Sequence, residues 1–323
     1  MNTATLALRD TDSAFSDDVT EGLRADPKRV PPKYFYDETG SQLFERITAE
    51  PEYYVTRTET GILAGRAGEI AKLMPPGAAL VEFGAGSSAK TRILLAAARH
   101  VCTYVPVDIS GAYLTAEAAA LRGDMPHLQV LPVVADFTQP FALPAKISNG
   151  PRVGFFPGST IGNFEPHEAT AVLRNAAALL GPGALLIIGV DLVKDARVLT
   201  TAYNDAAGVT AAFNLNLLTR INRELDGGFD LSTFKHRAWY NADKGRVEMH
   251  LVSIANQKVR VCGRSFEFRR GETIHTENSY KYTLDSFRNR ALGAGWKPVT
   301  AFLDDERYFC VHVLVAGGAA TMA

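Results

Sequence analysis

The segment VEFGAGSSAK, residues 81–90, ends a short apolar run in an acid and passes through Gly84, Ala85, Gly86 and two serines into a helix-like stretch. Glycines at such a turn let the backbone approach a ligand closely, and a helix start offers unpaired N–H groups. Glu82 stands two residues before Gly84, and Asp108 ends the next apolar run 24 residues after that glycine. An acid placed there can accept hydrogen bonds from ribose hydroxyls. Asp136 and Phe137 follow a third run as a pair able to bond an adenine amine and stack on its ring. Each has a plainer reading when taken singly, since a strand-end Asp can cap a helix and Phe137 can be core. Position favours the ligand: Gly84, Asp108, Asp136 and Gly158 all follow the carboxyl ends of predicted strands, where open α/β sheets bind their ligands.

The elements that must hold these groups are readable from periodicity. Leu43, Phe44 and Ile47 form a helical stripe closed by Pro51, and Thr56 with Glu59 reads as a capping box opening a helix over 57–74. Strands ALVEF, CTYVPV, LQVLPVV, RVGFFP and ALLIIGV then alternate with helices over 89–99, 110–122 and 167–180. Near-continuous apolar strands between helices predict a parallel sheet. After Asp191 the pattern changes to a helical stretch over 195–226, then to polar–apolar alternation from Phe229 to about residue 280, which predicts an antiparallel sheet in a second lobe. A helix over 284–294 and a hairpin of PVTAFLDD with RYFCVHVLVA close the chain against the sheet edge.

Both NAD and S-adenosylmethionine carry a ribose, so the glycine turn alone leaves the cofactor open. The Asp136–Phe137 pair and the C-terminal helix, Gly-Trp and hairpin favour S-adenosylmethionine, and the whole resembles a class I methyltransferase: an α/β, Rossmann-like fold with a seven-stranded sheet, here with an added α+β substrate-binding lobe. FFPGSTIGNFEP, residues 155–166, follows the fourth strand, where that class meets its acceptor; Gly158 and Gly162 free the backbone, and Asn163 offers a donor and acceptors, or else caps the next helix. The Asp/Asn-Pro-Pro-aromatic motif of nucleobase amino methyltransferases is absent from it.

YFYDETGSQLFERIT, PEYYVTRTE, VEFGAGSSAKT, GSTIGN, DLVKD, AYNDAAGVTAAFN and the RVEMHL to TENSYKY region together resemble the histidine-specific methyltransferase family, in the family's order and over nearly the whole chain from about residue 15. The resemblance implies trimethylation of the α-amino group of L-histidine to hercynine, through its mono- and dimethylated forms, as the first step of ergothioneine biosynthesis. It implies that Tyr36, Gly84, Lys90, Asp108, Asp136 and Phe137 surround S-adenosylmethionine. Tyr53, Gly158, Asn163 and Tyr203 match positions that hold the substrate's amino and carboxylate groups, with Gly158, Asn163 and Tyr203 nearest the chemistry. Met249, Glu277 and Ser279 match the imidazole pocket. Chemically, Glu277 and Ser279 would share one face of an extended ETIHTENSY, a carboxylate beside a hydroxyl for two ring nitrogens. The plainer readings are a solvent-facing Glu277 and a core Met249. An N-methyltransferase of another free amino acid such as tryptophan, and a noncatalytic S-adenosylmethionine-binding module, are the competing functions.

The S-adenosylmethionine-binding domain is expected at 58–192 plus 281–323, and the substrate domain at 5–57 plus 193–280. Lys and Arg (34) balance Asp and Glu (35) with no basic cluster, which argues against a nucleic-acid partner. Cys102, Cys262 and Cys310 sit singly in apolar runs and read as reduced, buried fillers, and no histidine spacing suggests a metal. The N-terminus lacks a basic start and an apolar h-region, and no long apolar run occurs, so a soluble, cytoplasmic monomer acting on a small molecule is expected.

Overall fold

Residues 3–147 and 150–317 are described in the computed structural model. Helix α1 (Thr3–Arg24) buries Phe15, Val19 and Leu23, four residues apart on one stripe. Strand β1 (Lys28–Arg29) and a 3₁₀ turn over Pro32–Phe35 lead to α2 (Glu38–Ala49), which starts where the Asp37 carboxylate accepts the Gly40 N–H at 2.7 Å. Helix α3 (Tyr54–Leu73) begins before the expected residue 57, so Thr56 and Glu59 lie inside it and form no capping box. The reason is that Glu59 is fully buried and its carboxylate is bound elsewhere.

Strand β2 (Ala79–Phe83), α4 (Ala89–Ala97), β3 (Thr103–Asp108) and α5 (Gly111–Asp124) follow. The third expected strand is broken into β4 (Gln129–Val130) and β5 (Val133–Val134), with Leu131 and Pro132 between them. Proline has no N–H to continue the ladder. Strand β6 (Arg152–Phe156), α6 (Pro166–Leu180), β7 (Leu185–Asp191), α7 (Ala196–Thr201) and α8 (Val209–Glu224) come next. Strands β8 (Phe234–Asn241), β9 (Arg246–Ser253), β10 (Gln257–Val261), β11 (Arg264–Phe268) and β12 (Thr273–Tyr280) precede α9 (Leu284–Gly293), β13 (Trp296–Leu303) and β14 (Phe309–Ala316).

The chain divides into two compact units, Met1–Tyr53 with Asp195–Asn278 and Tyr54–Lys194 with Ser279–Ala323; the joins lie two to four residues from those expected. The second of these holds the large sheet, ordered β13-β14-β7-β6-β2-β3-β4, with β5 also on β3. That makes seven strand positions, the last shared by the two halves of the broken strand. β2, β3, β6 and β7 pair in parallel, and β14 joins β7 antiparallel. Its core gathers Val81, Val105, Phe156, Ile188 and Leu314 from the strands with Leu173 and Phe287 from α6 and α9. Trp296, fully buried, donates its Nε1–H to the Leu173 carbonyl at 2.8 Å.

The other unit holds the sheet β1-β12-β9-β8 and the hairpin β10–β11. β8–β9 and β10–β11 are antiparallel, whereas β1 adds in parallel to β12. All three cysteines are free, but only Cys310 is a buried filler, its thiol pushed up to about 12 by burial. Cys102 is exposed just ahead of β3, and Cys262 is half-buried at φ 49° in the β10–β11 turn. Among the described residues no helix is long and apolar enough to cross a membrane, and no cluster of metal-ligating side chains occurs.

Candidate active site

In the large-sheet unit, parallel β2, β3, β5 and β6 end in Phe83, Asp108, Val134 and Phe156, so that Gly84, Asp108, Asp136 and Gly158, all singled out from the sequence, lie at their carboxyl ends or within two residues of them. Gly84, at φ 74°, turns the chain so that its N–H and that of Ala85 both reach the Val107 carbonyl. A Cβ at Gly84 would stand 3.5 Å from the Phe137 ring, so glycine keeps the turn and that ring in close register. Asp108 is turned inward by the Ser110 N–H at 2.8 Å, and burial raises its pKa against the pull of that bond and of the Ile109 N–H. The N-cap of α5 is Ser110, so Asp108 is not spent as the cap. Asp136 takes the Thr138 N–H and hydroxyl at 3.0 and 2.5 Å. Phe137 is half-buried and edge-on to Phe83, Phe156 and Phe164. Glu82 faces inward below the turn, accepting from Thr91 at 2.6 Å and from Tyr104; desolvation lifts its pKa to about 7, although these two bonds oppose the rise.

Two buried acids brace the segment that carries Gly158 and Ser159. Glu59 receives the Lys90 ammonium at 2.5 Å and the Gly158 N–H at 2.8 Å. Gly189 lies beneath it, where a Cβ would stand 2.0 Å from the Glu59 Oε1. Asp191, fully buried, accepts from Tyr54 at 2.8 Å, Lys194 at 2.5 Å and Lys281 at 2.7 Å. Burial alone would raise its pKa, but the two lysines hold it below the usual range, while desolvation and then Lys281 bring Lys194 down to about 8. The Asp191 N–H in turn donates to Ser159 Oγ at 2.9 Å. Ser159 sits at φ 55°, Gly158 at φ 80°, and a Cβ on Gly162 would meet the Tyr280 carbonyl at 2.7 Å. Residues 158–163 are thus held from several sides. Asn163 ends a 3₁₀ turn there and does not cap α6, whose N-cap is Glu165 with its N–H on the Glu168 carboxylate at 2.9 Å. Ser279 Oγ accepts from Lys281 at 2.7 Å, which draws it into the Asp191 cluster.

In the other unit Tyr53, Tyr203, Met249 and Glu277 line one opening of about 270 Å³, part of it open to solvent, with Phe44, Ile47, Ala202, Thr210 and Phe213. Glu277 therefore does not simply face solvent. Phe44 stands edge-on to Tyr53 and Tyr36 at centroid distances of 6.3 and 5.7 Å, Tyr53 to Tyr203 at 6.2 Å, and Tyr36 to Phe213 at 5.8 Å. Tyr203 lies on a loop before α8 fixed by Asp205, which takes the Val209 and Thr210 N–H groups at 2.6 and 2.8 Å. Burial pushes the Asp205 pKa up, but these bonds outweigh it and hold it low.

Glu59, Asp191 with its lysines, and Phe213 carry no mark that single residues reveal; DLVKD and AYNDAAGVTAAFN contain Asp191, Lys194 and Phe213, but nothing in their spacing signals a brace or an aromatic wall.

A Rossmann-like sheet with antiparallel β14 set beside β7, and with a glycine turn and two acids at its strand ends, is the arrangement of class I S-adenosylmethionine-dependent methyltransferases. Residues 15–316 match the model of the histidine-specific, S-adenosylmethionine-dependent methyltransferase family, and the chain belongs to that family. It is 44% identical over 317 residues to histidine N-alpha-methyltransferase of Mycolicibacterium smegmatis, covering 96% of this chain and 97% of that one. It is 43% identical to the enzyme of the same name from Mycobacterium tuberculosis, over 86% of this chain and 85% of that one. Ergothioneine biosynthesis protein 1 of Neurospora crassa is 35% identical over 87% of this chain, which spans 32% of that protein.

Proposed function

We propose that this protein methylates the α-amino group of L-histidine three times with S-adenosylmethionine, giving hercynine, the first step of ergothioneine biosynthesis. Family membership supports the reaction class. The observation that carries the substrate is the opening lined by Met249, Glu277, Tyr53 and Tyr203, a polar carboxylate set among aromatic walls. A carboxylate there can accept an imidazole N–H, and a pocket with buried polar partners rejects analogues that leave them unpaired. The aromatic faces of Tyr36 and Phe44 suit the growing methylammonium group.

The donor residues fit S-adenosylmethionine. Gly84 allows close approach, the oriented carboxylates of Asp108 and Asp136 suit ribose hydroxyls and an adenine amine, and Phe137 lies over the turn, with Lys90 on the helix that follows it; Tyr36 is assigned to the same ligand by the family resemblance alone. Bound there, the cofactor supplies a methyl group on a sulfonium. Methyl transfer needs nitrogen, carbon and sulfur in line, so orientation dominates the rate. Residues 158–163 are suited to such alignment because Glu59 holds the Gly158 N–H and Asp191 holds Ser159. In this reading the Gly158 carbonyl, Asn163 and the Tyr203 hydroxyl aim the neutral amine's lone pair, Tyr53 serves the amino and carboxylate groups, and Ser279 serves the ring.

Incubating the purified protein with S-adenosylmethionine and single amino acids, and following mass gains of one, two and three methyl groups, tests the proposal. Trimethylation of histidine alone is expected; transfer to tryptophan instead, or none, would overturn it. Asn163→Ala should lower turnover about tenfold or more with histidine saturating.

A further inference from the structure

Behind the wall of that opening runs a hydrogen-bonded relay that meets its lining residues through their backbones. Asn214, on α8, is fully buried. Its Nδ2 donates to the His236 Nδ1 at 2.9 Å and to the His250 carbonyl at 3.1 Å, and its Oδ1 accepts the Thr276 hydroxyl at 2.8 Å. His236 Nε2 reaches the Tyr203 carbonyl at 2.9 Å. Thr276, 1% exposed, also lies 3.1 Å from the Met249 carbonyl and immediately precedes Glu277.

The polarity of this relay is forced. Carbonyl oxygens only accept, so the amide nitrogen of Asn214 must face His250, and the same nitrogen then makes His236 Nδ1 an acceptor. The proton of a neutral His236 consequently sits on Nε2 and is donated to Tyr203. Burial favours that neutral ring, lowering the His236 pKa against the bond to Tyr203 and the charge of Asp205. The amide oxygen is left facing Thr276. One side chain thus ties helix α8 to β8, β9 and β12 and reaches three residues of the opening through their backbones: Tyr203, Met249 and Glu277.

We propose that Asn214 is a positioning residue for the histidine site, holding the Tyr203 loop through His236 and the Met249–Glu277 wall through Thr276. The proposal rests on the functional reading above. An amide is required because no other side chain of that size offers a donor to His236 and an acceptor to Thr276 at once. A half-satisfied buried relay is worse than none.

The test uses the full chain with two variants. In Asn214→Asp the donor is lost, so His236 should take up a second proton to meet the carboxylate, and the His250 carbonyl loses its partner. Nitrogen-15 spectra of the ring at pH 7 should show Nε2 alone protonated in the parent and both nitrogens protonated in the variant. Histidine affinity by calorimetry should fall about tenfold or more, with S-adenosylmethionine affinity changed less than about twofold. Thr276→Val keeps the shape and removes the hydroxyl; it should raise KM for histidine about fivefold and leave kcat within about twofold. Histidine affinity within twofold of the parent in both variants would overturn the proposal. So would equal loss of affinity for histidine and S-adenosylmethionine, which marks general damage. A parent protein that methylates no histidine would overturn the functional reading instead.

Discussion

The brace behind Gly158 and the relay behind Tyr203 do similar work with opposite chemistry. In the large-sheet unit, backbone is held by buried ions: Glu59 between Lys90 and Gly158, and Asp191 among Tyr54, Lys194 and Lys281. In the other unit, backbone is held by neutral groups, Asn214, His236 and Thr276, within an aromatic surround. Ions give stiff, directional anchors but are costly when one partner is lost, because the remaining charge stays buried. Neutral amide and imidazole groups cost less to bury and still fix polarity through donor and acceptor identity. Damage to the ionic brace should therefore appear first as lost stability, and damage to the relay as lost affinity.

The contrast would break most sharply at Asp191. Asp191→Ala leaves two buried ammonium groups facing each other and should cost on the order of 5 kcal/mol, read as loss of soluble folded protein or a collapsed denaturant midpoint. Glu82 tests the cost of a buried carboxyl by pH. Its folded pKa of about 7 lies above the unfolded value of 4.5, so its contribution is fully present below pH 4.5 and lost as pH rises through 7. Urea unfolding should show stability falling by roughly 3 kcal/mol over that interval from this group, a slope that Glu82→Gln removes. Glu59→Gln retains an acceptor for Gly158 but not the charge for Lys90. A loss of about 2 kcal/mol in unfolding free energy is expected, together with reduced kcat.

The smallest effect sharpens the neutral side of the comparison. His312, fully buried on β14 against Phe287, has no partner for either ring nitrogen among the described residues, and burial lowers its pKa to about 4. Unlike His236, it contributes no bond that would be missed. His312→Leu should raise stability by about 1 kcal/mol near pH 7, and by more at pH 5, where the unfolded parent gains a proton that the native ring refuses.

Much of the fold, and the strand-end turn proposed to take the donor, is legible in the chain itself. The strand–helix alternation, the glycine turn with its acids and the C-terminal hairpin follow from period and punctuation, because local sequence decides them. The broken third strand is hidden because LQVLPVV reads as one apolar run, although Pro132 withholds a ladder hydrogen bond. Glu59 misleads because an acid three residues after a threonine has the same local pattern whether it caps a helix or is buried. What distinguishes the cases lies 31 and 99 residues away, at Lys90 and Gly158. Cys102 misleads for a similar reason, sitting in an apolar run while its own side chain faces water. Asn214 carries no local mark at all, since its partners are 22 to 62 residues distant.

Gly189 shows that a residue without a side chain can matter as much as any of these. The space a methyl group would fill is already taken by an oxygen of Glu59. A Gly189→Ala change would therefore act at a distance, evicting the acid from its seat and freeing the loop that carries Gly158, so the emptiest position on β7 governs the tension of a turn it never touches.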